Sequence, residues 1–157
     1  MKAIASAVAI LTLCLAAPAG ASVVPRNGLW GGITSTSACL ENGCGPTDEQ
    51  VVFRLSERRA REMKLLVVVA CYNRDTRQTY DRYFTAKINR AGTIGTNLRG
   101  SANVAVRDSA AARSGTARIS YDFRGRKAKL LAVLNVSGTL ESCNGRTTFT
   151  LGGGIVQ

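Results

Sequence analysis

The chain has 157 residues, of which 45% are hydrophobic, and it carries a formal net charge of +11 with no histidine. This length suits one domain with one hydrophobic core. The missing histidine removes the commonest general base and metal ligand, and the basic excess favours an anionic partner.

Residues 1–21 have the layout of a secretory signal peptide. Met1 and Lys2 form a short basic start, residues 4–16 are mostly apolar, and Ala19 and Ala21 supply the small residues that a signal peptidase recognises. The apolar stretch is shorter than the roughly 20 residues of a membrane-spanning helix, and no later segment approaches that length. We therefore expect cleavage near residue 21 and a periplasmic or secreted single domain spanning residues 22–157.

The mature chain predicts β-strands joined by turns. The alternation of polar and apolar residues is clearest at residues 116–123, where every second side chain is apolar, as on a half-buried strand. Residues 36–49 are rich in Gly, Asn, Pro and Cys and predict a loop, while residues 93–115 contain one strand or two. The pattern predicts an all-β fold, a single antiparallel barrel or sandwich of about eight strands. The predicted strands are residues 29–35, 50–55, 63–72, 80–88, 103–107, 116–123, 127–140 and 146–151.

Two further expectations concern the C-terminal third and the interior. The Asn144-Gly145 pair favours a hairpin turn after Cys143, and residues 152–154, all glycine, are expected to end regular structure. Trp30 is expected to anchor the core. The other side chains expected to point inward are those of Phe53, Leu65, Val67, Phe84, Ile119, Tyr121, Phe123 and Leu134. They are bulky enough to fill a narrow barrel.

The cysteines predict a disulfide framework. Cys14 belongs to the signal peptide, which leaves Cys39, Cys44, Cys71 and Cys143. An even number in an exported chain indicates two disulfides, for which three pairings are possible. We favour Cys39–Cys44, which closes a short turn, together with Cys71–Cys143, which closes a long loop. A zinc site is disfavoured, because this spacing without histidine does not match zinc-ligand patterns.

An up-and-down strand order divides the turns between two ends of the barrel. If residues 93–107 contain one strand, all four cysteines fall at one end, as disulfide pairing requires. The opposite end then collects basic residues from several turns, and these form a candidate anion-binding site. They are Arg58, Arg59, Arg61, Arg90, Arg124, Arg126 and Lys127. The alternative is that they are ordinary solvated side chains.

No motif for catalysis or cofactor binding is found in the sequence. It contains no G-x-S-x-G nucleophile elbow, no P-loop and no dinucleotide fingerprint between a strand and a helix. The acidic residues are scattered, which disfavours the paired carboxylates of a glycosidase. We therefore predict a protein that is not an enzyme and that uses neither a cofactor nor a metal.

Three functions of different classes fit these features. The first is a non-catalytic binding module whose basic turns engage an anionic glycan, a lipid head group or an acidic protein. The second is a structural or interaction protein of the envelope, or an inhibitor of another exported protein, acting through residues 36–49. The third is a small-ligand-binding barrel, which requires an interior cavity. We expect no nucleic-acid partner, because basic residues and exposed aromatic rings do not share one strand face.

Three short motifs are spread over most of the mature chain. They are residues 28–34 (GLWGGIT), a strand ending in Cys71, and residues 119–128 (ISYDFRGRKA) followed by Cys143. Together they resemble a loose group of small, exported, proteobacterial-type all-β domains of uncharacterised function. The Gly28-Leu29-Trp30 start is also similar to the Gly-x-Trp start of lipocalin-like barrels, although the rest of that pattern is absent. The resemblance implies a barrel-like fold outside the cytoplasm, and it assigns no ligand pocket and no catalytic residue.

Overall fold

The computed structural model describes residues 23–109 and 113–155, so the predicted signal peptide at residues 1–21 lies outside the described part. The described chain is all-β with eight antiparallel strands, which confirms the predicted fold class. The strands are β1 (Gly28–Leu40), β2 (Gly43–Ser56), β3 (Arg59–Asn73), β4 (Thr79–Thr93), β5 (Arg99–Arg107), β6 (Ser114–Asp122), β7 (Ala128–Ser137) and β8 (Glu141–Ile155). The ambiguous stretch between β4 and β6 therefore contains one strand.

The strands form a barrel in which each strand pairs with the next along the chain, except that β4 does not pair with β5. The hydrogen-bonded order is β4-β3-β2-β1-β8-β7-β6-β5, and β3 also pairs with β8. The barrel closes where β4 and β5 lie side by side, and there the Ser109 N–H donates to the Thr85 carbonyl at 2.8 Å. The barrel has eight strands at the end where β2 turns into β3. At the opposite end, where β3 and β8 pair directly, it has six.

The strand number falls from eight to six because β1 and β2 separate β3 from β8 at one end, whereas β3 and β8 pair directly at the other. We call the point where β3 and β8 separate the fork. β1 pairs with β8 at Leu29–Gly31, using residues 152–155, and β2 pairs with β3 in the half nearest their shared turn. Beyond these contacts, residues 32–49 of the β1–β2 hairpin no longer pair within the barrel wall and form an arm over its outside. Beneath the arm, residues 70–73 of β3 pair with residues 141–144 of β8. The glycines at 152 and 153 thus continue β8, and the prediction that they end regular structure is wrong.

The arm also corrects the prediction of a loop at residues 36–49. These residues form the ends of β1 and β2, joined by a two-residue turn at residues 41–42. Ala38 and Thr47 on the inner face are buried, and the Cys39 N–H donates to Asp81 Oδ2 at 2.9 Å, so the arm lies against the barrel wall. Close packing against that wall favours small side chains, and the resulting composition resembles that of a loop.

The hairpin predicted at Asn144-Gly145 is likewise wrong. β7 ends at Ser137, and the turn into β8 is formed by residues 138–140. Gly145 lies inside β8, where a Cβ atom would stand 2.8 Å from Val69 Cγ1 and 3.0 Å from the Val68 carbonyl oxygen. Glycine is needed there because β8 approaches β3 closely, and not because the chain turns.

The structure confirms both predicted disulfides. Cys39 and Cys44 are cross-strand partners at the tip of the arm, and Cys71 and Cys143 are cross-strand partners between β3 and β8. The first pair is separated by 5 residues of sequence and the second by 72. Two disulfides indicate a non-reducing environment for the folded protein.

Apolar side chains fill the interior, and all eight of those predicted to point inward are buried, as is Trp30. The Trp30 ring packs edge-on against Phe123 with ring centroids 5.1 Å apart, and its Nε1 donates to the Arg26 carbonyl at 2.8 Å. The Tyr121 hydroxyl donates to the Ala91 carbonyl at 2.9 Å, and burial raises the pKa of Tyr121. A core packed with side chains favours recognition at the outer surface of the barrel.

A buried carboxylate occupies the fork between β3 and β8. Glu49, at the base of the arm, is 3% exposed, and its Oε1 accepts hydrogen bonds from the Val68 N–H and the Thr147 hydroxyl, both at 2.8 Å. Val68 belongs to β3 and Thr147 to β8, just beyond the residues that pair directly. The side chain therefore accepts a backbone hydrogen bond where the ladder between the strands stops.

Candidate functional site

The basic residues singled out in the sequence lie at the eight-stranded end of the barrel, which we call the basic end. They come from the β2–β3 turn, the start of β3, the end of β4 and the β6–β7 turn. The opposite end, called the cysteine end, carries both disulfides. The residues of the basic end are Arg58, Arg59, Arg61, Arg90, Arg124, Arg126 and Lys127.

Three of these arginines, Arg59, Arg61 and Arg90, line one cleft of about 350 Å³, the arginine cleft. Arg61 of β3 and Arg90 of β4 are cross-strand partners, so like charges stand opposite each other, an arrangement that destabilises a sheet. The lining contains no carboxylate, and none of the three forms a salt bridge with a described residue. The other lining residues are Ala60, Gly92 and Thr93. The cleft is therefore a concentrated positive field that favours an anion.

The remaining predicted residues do not join this cleft. Arg124 binds a residue next to its own turn, with Nη2 lying 2.8 Å from Asp122 Oδ2 and Nε 3.1 Å from Asp122 Oδ1. Arg126 and Lys127 are exposed on that same β6–β7 turn, and Arg58 is exposed on the β2–β3 turn. Of the seven predicted residues, Arg59, Arg61 and Arg90 are thus the ones that line a common cleft.

The structure also groups basic residues that the sequence did not assign to a site. A groove of about 720 Å³, the outer groove, runs over the outer faces of β5 to β8, with Arg99, Arg118 and Lys129 as its cations. The carboxylate in its lining, Asp122, already contacts Arg99 at 3.6 Å and Arg124 at 2.8 Å. Alternation marks Arg118 as outward-facing, but no sequence signal shows which residues of β5 and β7 flank it.

The turn beside the arginine cleft has an unusual backbone. Its two central residues, Glu57 and Arg58, have φ angles of 48° and 62°. Such hairpin turns favour asparagine and glycine, because a side chain crowds the backbone at positive φ. Hydrogen bonds fix the turn, since Asn27 Oδ1 accepts from the Glu57 N–H at 2.9 Å and the Arg58 carbonyl accepts from the Ile94 N–H at 2.8 Å. A charged side chain is therefore held where glycine is more stable.

The substitution Arg58→Gly should raise the free energy of unfolding by about 0.5–1 kcal/mol, because glycine removes the strain of positive φ. The matched control is Arg59→Gly, the same chemical change at the adjacent strand position, which should lower stability. Urea denaturation of both variants measures the difference. A loss of stability in Arg58→Gly would show that the turn carries no such strain.

A second group of charges lies at the cysteine end. Arg113 is buried, with Nη2 2.8 Å from Asp108 Oδ2 and Nη1 3.2 Å from Glu141 Oε2, and Arg82 approaches Glu141 at 3.4 Å. A hydrogen bond from Tyr80, with the charges of Arg82 and Arg113, holds the pKa of Glu141 below its usual value against the opposing effect of burial. These ion pairs connect β4, β8 and the β5–β6 loop, and both carboxylates are paired with arginines.

Glu141 also lies beside the Cys71–Cys143 disulfide, and the potential ligand atoms of the three residues are within 4.8 Å of one another. Metal binding requires thiolates, whereas these two sulfurs are bonded to each other. In the disulfide form, the group is a covalent cross-link with a neighbouring carboxylate and does not offer a metal site.

No protein-family model, curated protein or solved structure matches this chain. Within residues 23–109 and 113–155, no helix is long and apolar enough to cross a membrane. Function is therefore inferred from the arginine cleft, the outer groove and the disulfides themselves.

Proposed function

We propose that this protein is an exported, non-catalytic binding module that engages an anionic partner through its basic end. The observation that carries the proposal is the arginine cleft, where Arg59, Arg61 and Arg90 converge without a carboxylate in the lining. An anion bound there relieves the repulsion between the cross-strand partners Arg61 and Arg90. Arginine suits this role, because its planar guanidinium donates paired hydrogen bonds to carboxylate, sulfate or phosphate oxygens.

The β2–β3 turn supports a role for charge at this end. Arg58 occupies a left-handed position that glycine would fill at lower cost, and strained positions of this kind cluster at functional sites. Arg58 lies on the turn directly before Arg59, so it adds to the positive charge of the basic end without lining the arginine cleft. The strain is therefore consistent with a residue kept for its charge.

The proposed export of the protein supports the choice of partner. The signal-like residues 1–21 and the two disulfides both fit a periplasmic or secreted protein. In those compartments, acidic glycans, lipid head groups and acidic proteins are accessible to a basic domain. Long-range attraction to such partners weakens with salt, because the Debye length falls to about 8 Å at physiological ionic strength.

The test is the triple variant Arg59→Gln, Arg61→Gln and Arg90→Gln on immobilised heparin, which serves as a general polyanion. Wild-type protein should be retained in a salt-dependent manner, and the triple variant should bind about tenfold more weakly, since three exposed charge contacts are lost. Elution at stepped salt concentration and titration with soluble heparin measure the loss.

The matched control is the variant Arg74→Gln, Arg77→Gln and Arg107→Gln, which removes the same charge from exposed positions at the cysteine end. If affinity depends on net charge alone, both triple variants will lose binding equally, and the assignment to the arginine cleft will be wrong. Unchanged retention of the arginine-cleft variant would refute it as well.

A second candidate is the interaction protein or inhibitor. The observation that favours it is an apolar groove of about 520 Å³ at the base of the arm, beside Ile33, which is 67% exposed. Leu66 and Val52 also line this groove. Binding of a protein there would depend on apolar contact and would persist at high salt, in contrast to binding at the arginine cleft.

A further inference from the structure

The arginine cleft and the outer groove meet at the closing seam of the barrel. Thr93 of β4 lines the cleft, and Gly100 of β5 lines the groove. A Cβ atom on Gly100 would stand 2.1 Å from the Thr93 carbonyl oxygen, so the two backbones touch because residue 100 is glycine. The Gly95 N–H also donates to the Arg99 carbonyl at 2.6 Å, which fixes the first residue of β5 beside the end of β4. The two basic surfaces are therefore neighbours across one seam.

The outer groove differs from the cleft in its chemistry. Its lining combines cations with hydroxyl groups from three strands, and the groove follows the wall of the barrel. Ser101 and Ser120 are cross-strand partners, and Leu131 and Thr148 continue the same row across β7 and β8. Hydroxyl side chains both donate and accept hydrogen bonds, as the hydroxyls of a sugar do. The lining is thus suited to a ligand that carries both negative charges and hydroxyl groups.

We infer that the arginine cleft and the outer groove form one continuous track for a linear acidic polysaccharide, a glycan chain carrying sulfate or carboxylate groups. The inference rests on the proposed anion-binding function and extends it to a ligand class. Arg59, Arg61 and Arg90 hold one stretch of the chain. After the seam at Gly100, Arg118 and Lys129 hold the next, and the serine and threonine hydroxyls contact the sugar hydroxyls between charges.

The shape of the track favours a chain over a membrane surface. The arginine cleft lies at the basic end of the barrel, whereas the outer groove extends along the wall toward Arg118, in the middle of β6. A flat bilayer contacts one convex face at a time and does not reach both. A flexible linear ligand follows the bend, and joining two weak sites in one ligand raises the overall affinity.

The experiment is titration of the full mature protein with heparin fragments of increasing length. The variants are the arginine-cleft triple variant, a groove variant Arg118→Gln/Lys129→Gln, and a control Arg74→Gln/Arg107→Gln. The control removes the same charge as the groove variant from exposed positions that line neither surface. Thermal unfolding of each variant confirms that the fold is kept.

Affinity of the wild-type protein should rise with fragment length. The groove variant should bind long fragments about tenfold more weakly and short fragments nearly unchanged, because short fragments occupy the arginine cleft alone. The control variant should match wild type. A parallel titration uses phosphatidylcholine vesicles with and without phosphatidylglycerol, and it should show weaker binding that the groove variant does not alter.

Four results would overturn the inference. If affinity does not increase with length, or if the groove variant binds long fragments like wild type while the cleft variant loses binding, the track is refuted and the arginine cleft stands. If acidic vesicles bind more tightly than any fragment, the ligand is a lipid surface. If neither fragments nor vesicles bind in a salt-dependent manner, the proposed function fails as well.

Discussion

Replacing Cys71 and Cys143 together by alanine should lower the free energy of unfolding by about 4 kcal/mol. The two cysteines are 72 residues apart in sequence, so the disulfide restricts the unfolded chain over a long loop. It also joins β3 to β8 where these strands close the six-stranded end of the barrel. Alanine is the suitable replacement because both side chains are buried. Urea denaturation, with the slope of the transition compared between proteins, measures the loss.

The matched control is removal of the other disulfide by Cys39→Ala and Cys44→Ala. That pair is separated by 5 residues and lies at the tip of the arm, so its loss should cost only about 2 kcal/mol. The ordering is the decisive result. If removing the tip disulfide destabilises the protein as much as removing Cys71–Cys143, then loop length and barrel closure do not control stability.

Replacing Glu49 by alanine should destabilise the protein by about 2–4 kcal/mol. The Val68 N–H and the Thr147 hydroxyl both lose their acceptor, and an unsatisfied buried donor costs roughly 1–3 kcal/mol. Hydrogen exchange supplies a local measurement, because the Val68 amide should exchange faster than its neighbours in β3. Chemical denaturation measures the global loss.

Two comparisons test the assignment to Glu49. Glu41→Ala removes an exposed carboxylate from the arm tip and should change stability by less than about 0.5 kcal/mol. Glu49→Gln keeps an acceptor oxygen at the fork and should recover part of the loss. The role of the carboxylate would be rejected if Glu49→Ala and Glu41→Ala proved equally stable.

Most of the barrel follows from the sequence, because alternation is a local signal. Ile119, Tyr121 and Phe123 fall on one face of residues 116–123, and all three are buried. The division into two ends followed from counting turns, which needs no knowledge of side-chain contacts. The disulfide pairing followed from spacing, since Cys39 and Cys44 are close enough in sequence to close a short turn and leave Cys71 to pair with Cys143.

The features that were missed depend on contacts between distant parts of the chain. Arg61 faces Arg90 because the register shifts between Ala60 and Arg61, leaving Ala91 as an extra residue in β4, and alternation does not reveal such a bulge. The burial of Glu49 arises because the arm folds back over the fork, whereas a glutamate in the sequence predicts an exposed side chain. The outer groove likewise requires the pairing of β5 to β8.

The fork has a consequence for how the sequence can vary. Because β3 and β8 pair with each other beneath the arm, the barrel closes without the outer part of the β1–β2 hairpin. Insertions at residues 41–42 lengthen a ribbon whose tip lies outside that closure, and they shift no register between β3 and β8. The arm tip is therefore a graft site, at which foreign peptides can be displayed while the basic end of the barrel stays unchanged.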